Sequence, residues 1–265
     1  MKKILRYVLL LLLVCFSFFY TDRVMSLINK KDPLMKKLDS VKEEYRIEPV
    51  SATIEDNTII PGKCGREIDI DKSYKEMKLE GIFRENSLVY KDLMPSSSLS
   101  NNKDKFIIKG SDIKSEVAIL LIVDSNNDVD NLSNFSNLSL FINSNYINSK
   151  NIDRLKKNEI YTYGKNGIYT KEYLISDNAI IDSLSNNKSL YCLAKDKNNE
   201  TLEVCNERGM FVVIPNIVGD YHNVKSSLSN GSIILLNSVN NIDLINKYII
   251  GKGYNLVTLS KLLEE

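Results

Sequence analysis

The sequence is most restrictive in what it lacks, above all histidine. His222 is the only histidine among 265 residues, so a mechanism that needs two histidines from one chain is excluded. Tryptophan is absent, and the four cysteines form no CxxC pair and no Cys/His spacing typical of a zinc site. With 35 basic and 34 acidic residues the net charge is +1. A nucleic-acid partner, which needs a basic face, is therefore not indicated.

The N-terminus carries the longest apolar run of the chain. Three basic residues lead into apolar residues 7–20, a pattern typical of a secretory signal or a signal anchor. The run ends in bulky aromatic residues, which make a poor cleavage site. It is shorter than the about 20 residues of an ideal span, but two more apolar residues extend it if Arg6 snorkels. We therefore predict a single-pass signal anchor at 1–23, in the membrane over 4–20, with the bulk of the chain extracytoplasmic.

Two shorter segments are expected between the anchor and the main domain. Apolar residues at helical spacing over 24–48, interrupted by Pro33, predict a partly helical, membrane-proximal stalk. Residues 49–112 combine short apolar stretches with turn residues, which predicts a small β-rich module.

Within this module, two local structures are expected. The apolar stretches on either side of Pro61-Gly62 predict a β-hairpin, and the segment that follows predicts a short helix capped by Asp71 and stopped by Gly81.

From residue 113 to 265 the chain alternates between two patterns. Short apolar runs rich in β-branched residues predict strands, namely VAILLIVD, SLFINS, EIYTYG, SLYCLA, MFVVIP, SIILLN and NLVTL. Helical patterns lie between several of them. Strands that alternate with helices indicate βα units and a parallel sheet, either closed or open, so the fold class is α/β.

The predicted extracytoplasmic location permits disulfide bonds. Cys192 and Cys205 can pair if the strand that holds the first faces the helix that holds the second. Two buried free thiols are the alternative.

The C-terminal segment GSIILLNSVNNIDLINKYIIGKGYNLVTLSKLLEE closely resembles the end of the polysaccharide deacetylase (NodB homology) domain of carbohydrate esterases. SLFINSNYI and TLEVCNERGMFVVIP resemble two other parts of that domain. The resemblance covers about Glu116 to Leu263. It implies a distorted, incomplete (β/α)7 barrel, and a family activity of metal-dependent N-deacetylation of glycans.

The resemblance also implies a divalent metal such as zinc, held by one Asp and two His. Asp124 matches the family's catalytic base, whereas Ser125 replaces the metal-binding Asp. Tyr163 and Gly167 stand at the two histidine positions after Glu159-Ile160. We therefore expect no metal cofactor and a degenerate site.

Two further parts of the sequence also lack residues of the family's catalytic motifs. The arginine motif corresponds to YCLAKD, without Arg or Pro. Asn237 stands where the general-acid histidine is expected, and an amide cannot shuttle a proton. Tyr161, Tyr163, Asp220 and Asn237 remain candidate ligand-binding residues.

Most of these candidate residues can also have a purely structural role. The two tyrosines can be packing residues, and Asn237 can cap the next helix. Asp124 can be a strand-end cap, and His222 is expected in an exposed loop.

Three functions remain open. The first is a non-catalytic, membrane-anchored protein of the cell envelope that binds peptidoglycan or another glycan. The second is a deacetylase with a rebuilt site that uses Asp124 and Asp220. The third is a structural protein whose stalk and β-rich module bind a protein partner of unknown identity.

Overall fold

A computed structural model describes residues 2–29, 31–123, 132–146, 152–155, 157–185, 188–236 and 238–265. The chain forms two compact units. The small unit comprises Met1–Pro49 and Cys64–Leu93, and the large unit comprises Val50–Lys63 and Met94–Glu265. Segment 49–112, predicted as one module, thus contributes residues to both units.

As far as the structure describes it, the small unit contains three α-helices and one hairpin. The helices are α1 (Lys2–Asn29), α2 (Pro33–Val41) and α3 (Ile70–Met77), and β3 (Gly65–Ile68) pairs antiparallel with β4 (Tyr90–Leu93). Helix α2 begins at Pro33, whose fixed φ suits a first helical turn, and Asp32 caps it by accepting a hydrogen bond from the Leu34 amide at 2.8 Å. The core of the unit consists of Leu34, Leu38, Tyr74 and Met77.

The predicted cap of α3 was wrong by two positions. Asp69, not Asp71, accepts the Lys72 amide at 3.1 Å, and Asp71 lies in the first helical turn. Gly81 (φ 66°) follows the end of the helix, as predicted, and its amide donates to Met77 O at 3.0 Å.

Over its described residues, no helix combines the length and the apolar character that a membrane span needs.

The hairpin predicted around Pro61-Gly62 was wrong. Strand β1 (Thr53–Glu55) pairs antiparallel with β2 (Thr58–Ile60), so the turn lies before β2 rather than after it. After β2 the chain runs alongside an earlier segment, because Lys63 bridges Val50. A Cβ on Gly62 would lie 1.9 Å from Val50 O, so only glycine permits this approach.

In the part of the chain that the structure describes, the large unit contains two mainly parallel sheets. The first has the order β11 (Ile217–Gly219), β12 (Ile233–Leu236), β6 (Glu116–Val123), β7 (Ser139–Ile142), β8 (Glu159–Thr162), and β13 (Asn255–Leu256) also pairs with β6. The second has the order β1, β2, β5 (Phe106–Ile107), β10 (Phe211–Val213), β9 (Tyr191–Leu193). The predicted α/β class is thereby confirmed.

Helices follow most of these strands. They are α4 (Ile152–Leu155), α5 (Lys171–Ser185), α6 (Asn199–Glu207), α7 (Tyr221–Ser227), α8 (Ile242–Gly251) and α9 (Leu259–Leu262). All seven predicted strands form, whereas the sequence analysis missed β11 and α7. Both are short, at three and seven residues, and short elements give little periodicity to recognise.

The two sheets enclose a common apolar interior. In β6, Ala118 and Leu120 belong to this interior, and the alternate residues Val117, Ile119 and Leu121 belong to a second core that includes apolar residues of α8. This alternation is the two-residue period of a strand buried on both faces. The interior also takes Ile107 and Val213 from the second sheet, so the sheets pack face to face around one core.

Candidate functional site

A cavity of about 660 Å³ lies at the carboxyl ends of the strands. In parallel α/β folds this edge is where binding and catalytic residues gather. The cavity draws its lining from both sheets: Leu121, Ile122, Tyr163, Asn166, Lys195, Pro215, Val218, Leu235, Leu236, Ser238 and Val239.

Tyr163 and Gly167, which stand at the two predicted histidine positions, are neighbours in this structure. Tyr163 directly follows β8 and is 6% exposed. Its hydroxyl lies 3.1 Å from the point that a Cβ would occupy on Gly167, and the Gly167 amide donates to Tyr163 O at 3.0 Å. The two positions that the resemblance assigns to histidines thus lie side by side, and they carry a phenol and a hydrogen atom.

The turn between these residues requires unusual backbone angles. Gly164, Asn166 and Gly167 have φ values of 60°, 55° and 82°, in the left-handed region that glycine and asparagine tolerate best. A Cβ on Gly164 would lie 2.5 Å from Ile168 O. The residue types of this turn thus fix its shape.

The residues present do not fit the metal that the resemblance implies. A phenol and a glycine cannot replace two imidazole ligands. Among the described residues, no group of three or more His, Cys, Asp or Glu side chains is placed to hold a metal ion. Asp124 and Ser125 lie outside the described residues, so their predicted roles remain predictions.

Tyr161 lies in the interior of the large unit and not at the mouth of the cavity. Its ring is 3% exposed and packs against Phe141 and Tyr191 with centroid distances of 5.4 and 5.3 Å. Its hydroxyl donates to Glu159 Oε2 at 2.6 Å. Burial raises the pKa of the Tyr161 phenol far above its usual range, and the adjacent Glu159 carboxylate raises it further. This geometry matches the packing alternative.

Glu159 connects strand β8 to the C-terminal helix α9. Its Oε2 accepts hydrogen bonds from the Ser139 hydroxyl at 3.2 Å and the Ser260 amide at 3.1 Å, and its Oε1 accepts one from the Ser260 hydroxyl. The Leu259 amide in turn donates to Ser139 Oγ at 2.8 Å. Glu159 lies at the start of β8 and Tyr163 follows its end, so this network is at the opposite end of the strand from the cavity.

Asp220 is engaged at a helix terminus. Its carboxylate accepts the His222 amide at 2.9 Å and the Asn223 amide at 3.5 Å, forming the N-cap of α7. His222 is exposed, but it lies in the first turn of α7 rather than in the expected loop. Asn237 lies outside the described residues. The next residue, Ser238, accepts the Asn240 amide at 3.1 Å and caps the following turn.

Cys192 and Cys205 form a disulfide bond between β9 and α6. Both residues are fully buried.

Sequence reasoning missed several residues of the cavity. Lys195 and Asn166 come shortly after β9 and β8, and Val218 lies in β11. The signal for the first two was their position just after a strand. Lys195 belongs to the YCLAKD segment, in which the sequence analysis assigns no role to the lysine.

Comparison with solved structures identifies the fold. A carbohydrate esterase family 4 (CE4) pseudoenzyme from Bacillus anthracis matches with a TM-score of 0.64 at 18% identity, over 88% of this chain and 96% of that one. The chain has the CE4 fold. A mutant of that pseudoenzyme with restored enzymatic activity matches equally well. A peptidoglycan N-acetylglucosamine deacetylase matches with a TM-score of 0.50 at 17% identity, over 60% of this chain and 95% of that one.

Sequence comparison is more limited in extent. YlxY of Bacillus subtilis (strain 168), described as an uncharacterized protein, is 40% identical over 94 residues, which is 35% of this chain and 30% of that protein. No protein-family model matches the chain. The predicted resemblance to polysaccharide deacetylases is thus confirmed at the level of the fold.

Proposed function

We propose that this protein is a cell-envelope glycan-binding protein whose CE4-like large unit no longer catalyses deacetylation. One observation carries the proposal: a cavity lies at the carboxyl ends of the strands, and it is lined by Tyr163, which the resemblance assigns to a histidine position. A cavity without metal ligands beside it, in the part of the chain that is described, is suited to binding a glycan without hydrolysing it.

The chemistry of the cavity suits a sugar. Carbohydrates present apolar ring faces edged by hydroxyl groups, and small-molecule sites combine apolar walls with a few polar groups. Here Val218 and Leu235 supply apolar wall, Tyr163 supplies an aromatic edge, and Asn166 and Lys195 supply polar groups. Lys195 also provides a cation that would suit a carboxylate-bearing glycan.

The comparison structures support peptidoglycan as the ligand class. One matching structure is a peptidoglycan N-acetylglucosamine deacetylase, and another is a pseudoenzyme of the same esterase family. We therefore propose N-acetylhexosamine polymers of the cell wall as the ligand.

The location that we propose is the outer face of the cell membrane. The support is the basic start and the apolar run of residues 7–20, together with the exposure of every α1 side chain from Leu11 to Tyr20. Helices that are apolar all round normally lie in a large core or in a bilayer. The disulfide between Cys192 and Cys205 also suits an oxidising compartment.

The test is a titration of the purified chain with soluble peptidoglycan fragments and N-acetylglucosamine oligomers, followed by calorimetry. Lys195→Gln and Tyr163→Ala are expected to weaken binding about tenfold each, because each removes a polar or stacking contact worth about 1.4 kcal/mol. Lys252→Gln is the matched control, since Lys252 is exposed at the end of α8 and is not part of the cavity lining.

Absence of binding to every glycan would contradict the proposal. Acetate release that depends on added zinc would instead favour a rebuilt deacetylase. No described geometry supports that second function at present, because the Asp220 carboxylate already caps α7.

A further inference from the structure

The C-terminal ends of helices α1 and α3 lie side by side in the small unit. The Tyr74 hydroxyl donates to Asp32 Oδ2 at 2.9 Å and lies 3.4 Å from Asn29 Oδ1. Lys78 Nζ donates to the same Asn29 oxygen at 3.5 Å. Because Asn29 is the last residue of α1, the turn after α3, residues 78–83, is held beside the point where α1 ends.

This turn presents two apolar side chains to solvent. Leu79 is 98% exposed and Ile82 is 61% exposed. The carboxylate between them, on Glu80, forms an ion pair with Arg84 at 2.8 Å. We call residues 78–83 the apolar tip. Its acidic charge is neutralised, which lowers the cost of approaching an anionic surface.

A groove of about 1250 Å³ in the small unit adds positive charge near the tip. Among its lining residues, Lys36, Lys75 and Lys78 have no ion-pair partner among the described residues. Most of the acidic residues that line the groove are paired: Asp39 with Lys42, Glu67 with Arg46 and Lys91, and Asp69 with Lys72. Glu43 and Asp71 remain, so the unpaired charge of the groove is positive.

We propose that the apolar tip and the three lysines of the groove dock on the surface of an anionic phospholipid bilayer. Exposed apolar side chains beside lysines are the composition of surfaces that bind the bilayer interface. The lysines would bind lipid phosphates, and Leu79 and Ile82 would enter the headgroup region. The inference depends on the proposed anchoring of α1, because α1 places the tip next to the membrane.

The apolar surface of α1 indicates that the tip contacts a lipid bilayer. The side chains of α1 from Leu11 to Tyr20 are exposed and almost all apolar, so they need an apolar environment of their own. A bilayer around that segment would leave Asn29 about 13.5 Å beyond Tyr20 along the helix axis, so a tilted α1 brings the tip to the lipid surface. Helix α2 begins only four residues after α1 ends, which keeps the small unit close to that surface.

The absence of tryptophan makes a direct test possible. A single tryptophan is introduced as Leu79→Trp in the full chain, which is then reconstituted in vesicles that contain phosphatidylglycerol. The fluorescence is expected to shift to shorter wavelength and to be quenched by lipids brominated on the acyl chain near the headgroup. Leu79 makes almost no contact within the protein, so the change leaves the fold intact.

Ile47→Trp is the matched control in the same unit. Ile47 is also exposed and apolar, at 46%, but it pairs with Arg66 of β3. Helix α3, of eight residues, lies in the chain between the pairing partner of Ile47 and the tip, and Ile47 is not part of the tip. Its emission is expected to match that of a tryptophan in water.

A third variant, Phe18→Trp, reports on α1 itself. If this tryptophan is buried in lipid while the one at position 79 is fully accessible to aqueous quencher, docking is refuted and the anchor stands. If position 18 is accessible as well, both the anchor and the docking proposal are refuted. Equal lipid quenching at positions 79 and 47 would also overturn the proposal, since a specific tip predicts a difference.

The lysines are tested in the Leu79→Trp background. Replacing Lys36, Lys75 and Lys78 with Gln should lower the docking equilibrium about fivefold for each lysine, because each basic residue near an anionic surface contributes about that factor. The same triple change at the exposed residues Lys225, Lys247 and Lys252 of the large unit serves as the charge-matched control. Identical spectra for the two triple variants would show that the groove does not bind phospholipid.

Discussion

Strand β8 differs sharply between its two ends. At its start, Glu159 accepts hydrogen bonds from Ser139, Tyr161 and Ser260 and so connects the strand to α9. At its other end, Tyr163 and Gly167 occupy the positions at which the resemblance places metal ligands. The hydrogen bonds at the first end connect β8 to α9, whereas the second end borders the cavity. The packing of the strand and the chemistry of the cavity thus depend on different residues of β8 and of the turn that follows it.

Of the predicted changes, breaking the hydrogen-bond network around Glu159 should lower the stability of the large unit most. Glu159→Ala leaves the Tyr161 hydroxyl and the Ser260 amide without their acceptor. Each buried group left unsatisfied costs about 1–3 kcal/mol, so we expect the free energy of unfolding of the large unit to fall by about 4 kcal/mol. Thermal unfolding of the chain in detergent measures this loss.

The control for this variant is Glu207→Ala. Glu207 is exposed, and its carboxylate lies 3.9 Å from Lys171 Nζ, a distance at which a surface ion pair contributes little. Equal unfolding temperatures for the two variants would mean that the Glu159 network does not stabilise the fold.

Removing the disulfide should have the next largest effect. Cys192 and Cys205 are separated by 13 positions, and closing a loop of that size stabilises a protein by about 3 kcal/mol. The paired substitution to serine should therefore lower the unfolding temperature, and a reductant should then have no further effect. Cys15→Ser, at an exposed position of α1, is the control. An unchanged midpoint in the double variant would contradict a structural role for the bond.

Placing histidines at positions 163 and 167 should lower the stability of the large unit less. The effects of the two substitutions should not simply add. Gly167→His places a side chain at φ 82°, and its Cβ would lie 3.1 Å from the Tyr163 hydroxyl. Backbone strain of this kind costs about 1–3 kcal/mol. Tyr163→His removes the contact, so the double variant should be less destabilised than the sum of the single variants, with a coupling of about 0.5 kcal/mol or more. Thermal unfolding of the four proteins measures it.

The same variants also test zinc binding. A mutant of the B. anthracis pseudoenzyme has restored enzymatic activity. Zinc binding is expected only when Ser125→Asp is added to the two histidines, since three ligands are then available. Tight zinc binding by the unaltered chain would show that other residues form a metal site.

The sequence predicted the strands well because most are buried on both faces and so form unbroken apolar runs. The assignment of Tyr163 and Gly167 to histidine positions comes from the resemblance and stays a prediction. The sequence could not predict that Tyr161 lies in the interior while Tyr163 lines the cavity, because both fall on the same side of β8, and only their depth along the strand separates them. The partners of the strands on either side of Pro61-Gly62 depended on contacts distant in sequence, which local patterns do not record.

The smallest effect is expected in the pH dependence of stability, and it depends on the buried tyrosines. Burial raises the pKa of Tyr161, Tyr169 and Tyr191 above the usual range. The folded state therefore keeps protons that the unfolded chain releases above about pH 10. Stability is fully present below pH 10 and falls as the pH rises further, by about 1.4 kcal/mol per pH unit for each tyrosine. Tyr191→Phe should reduce this slope by about a third, measured by thermal unfolding between pH 8 and 11. An equal slope for wild type and Tyr191→Phe would mean that Tyr191 titrates normally in the folded protein.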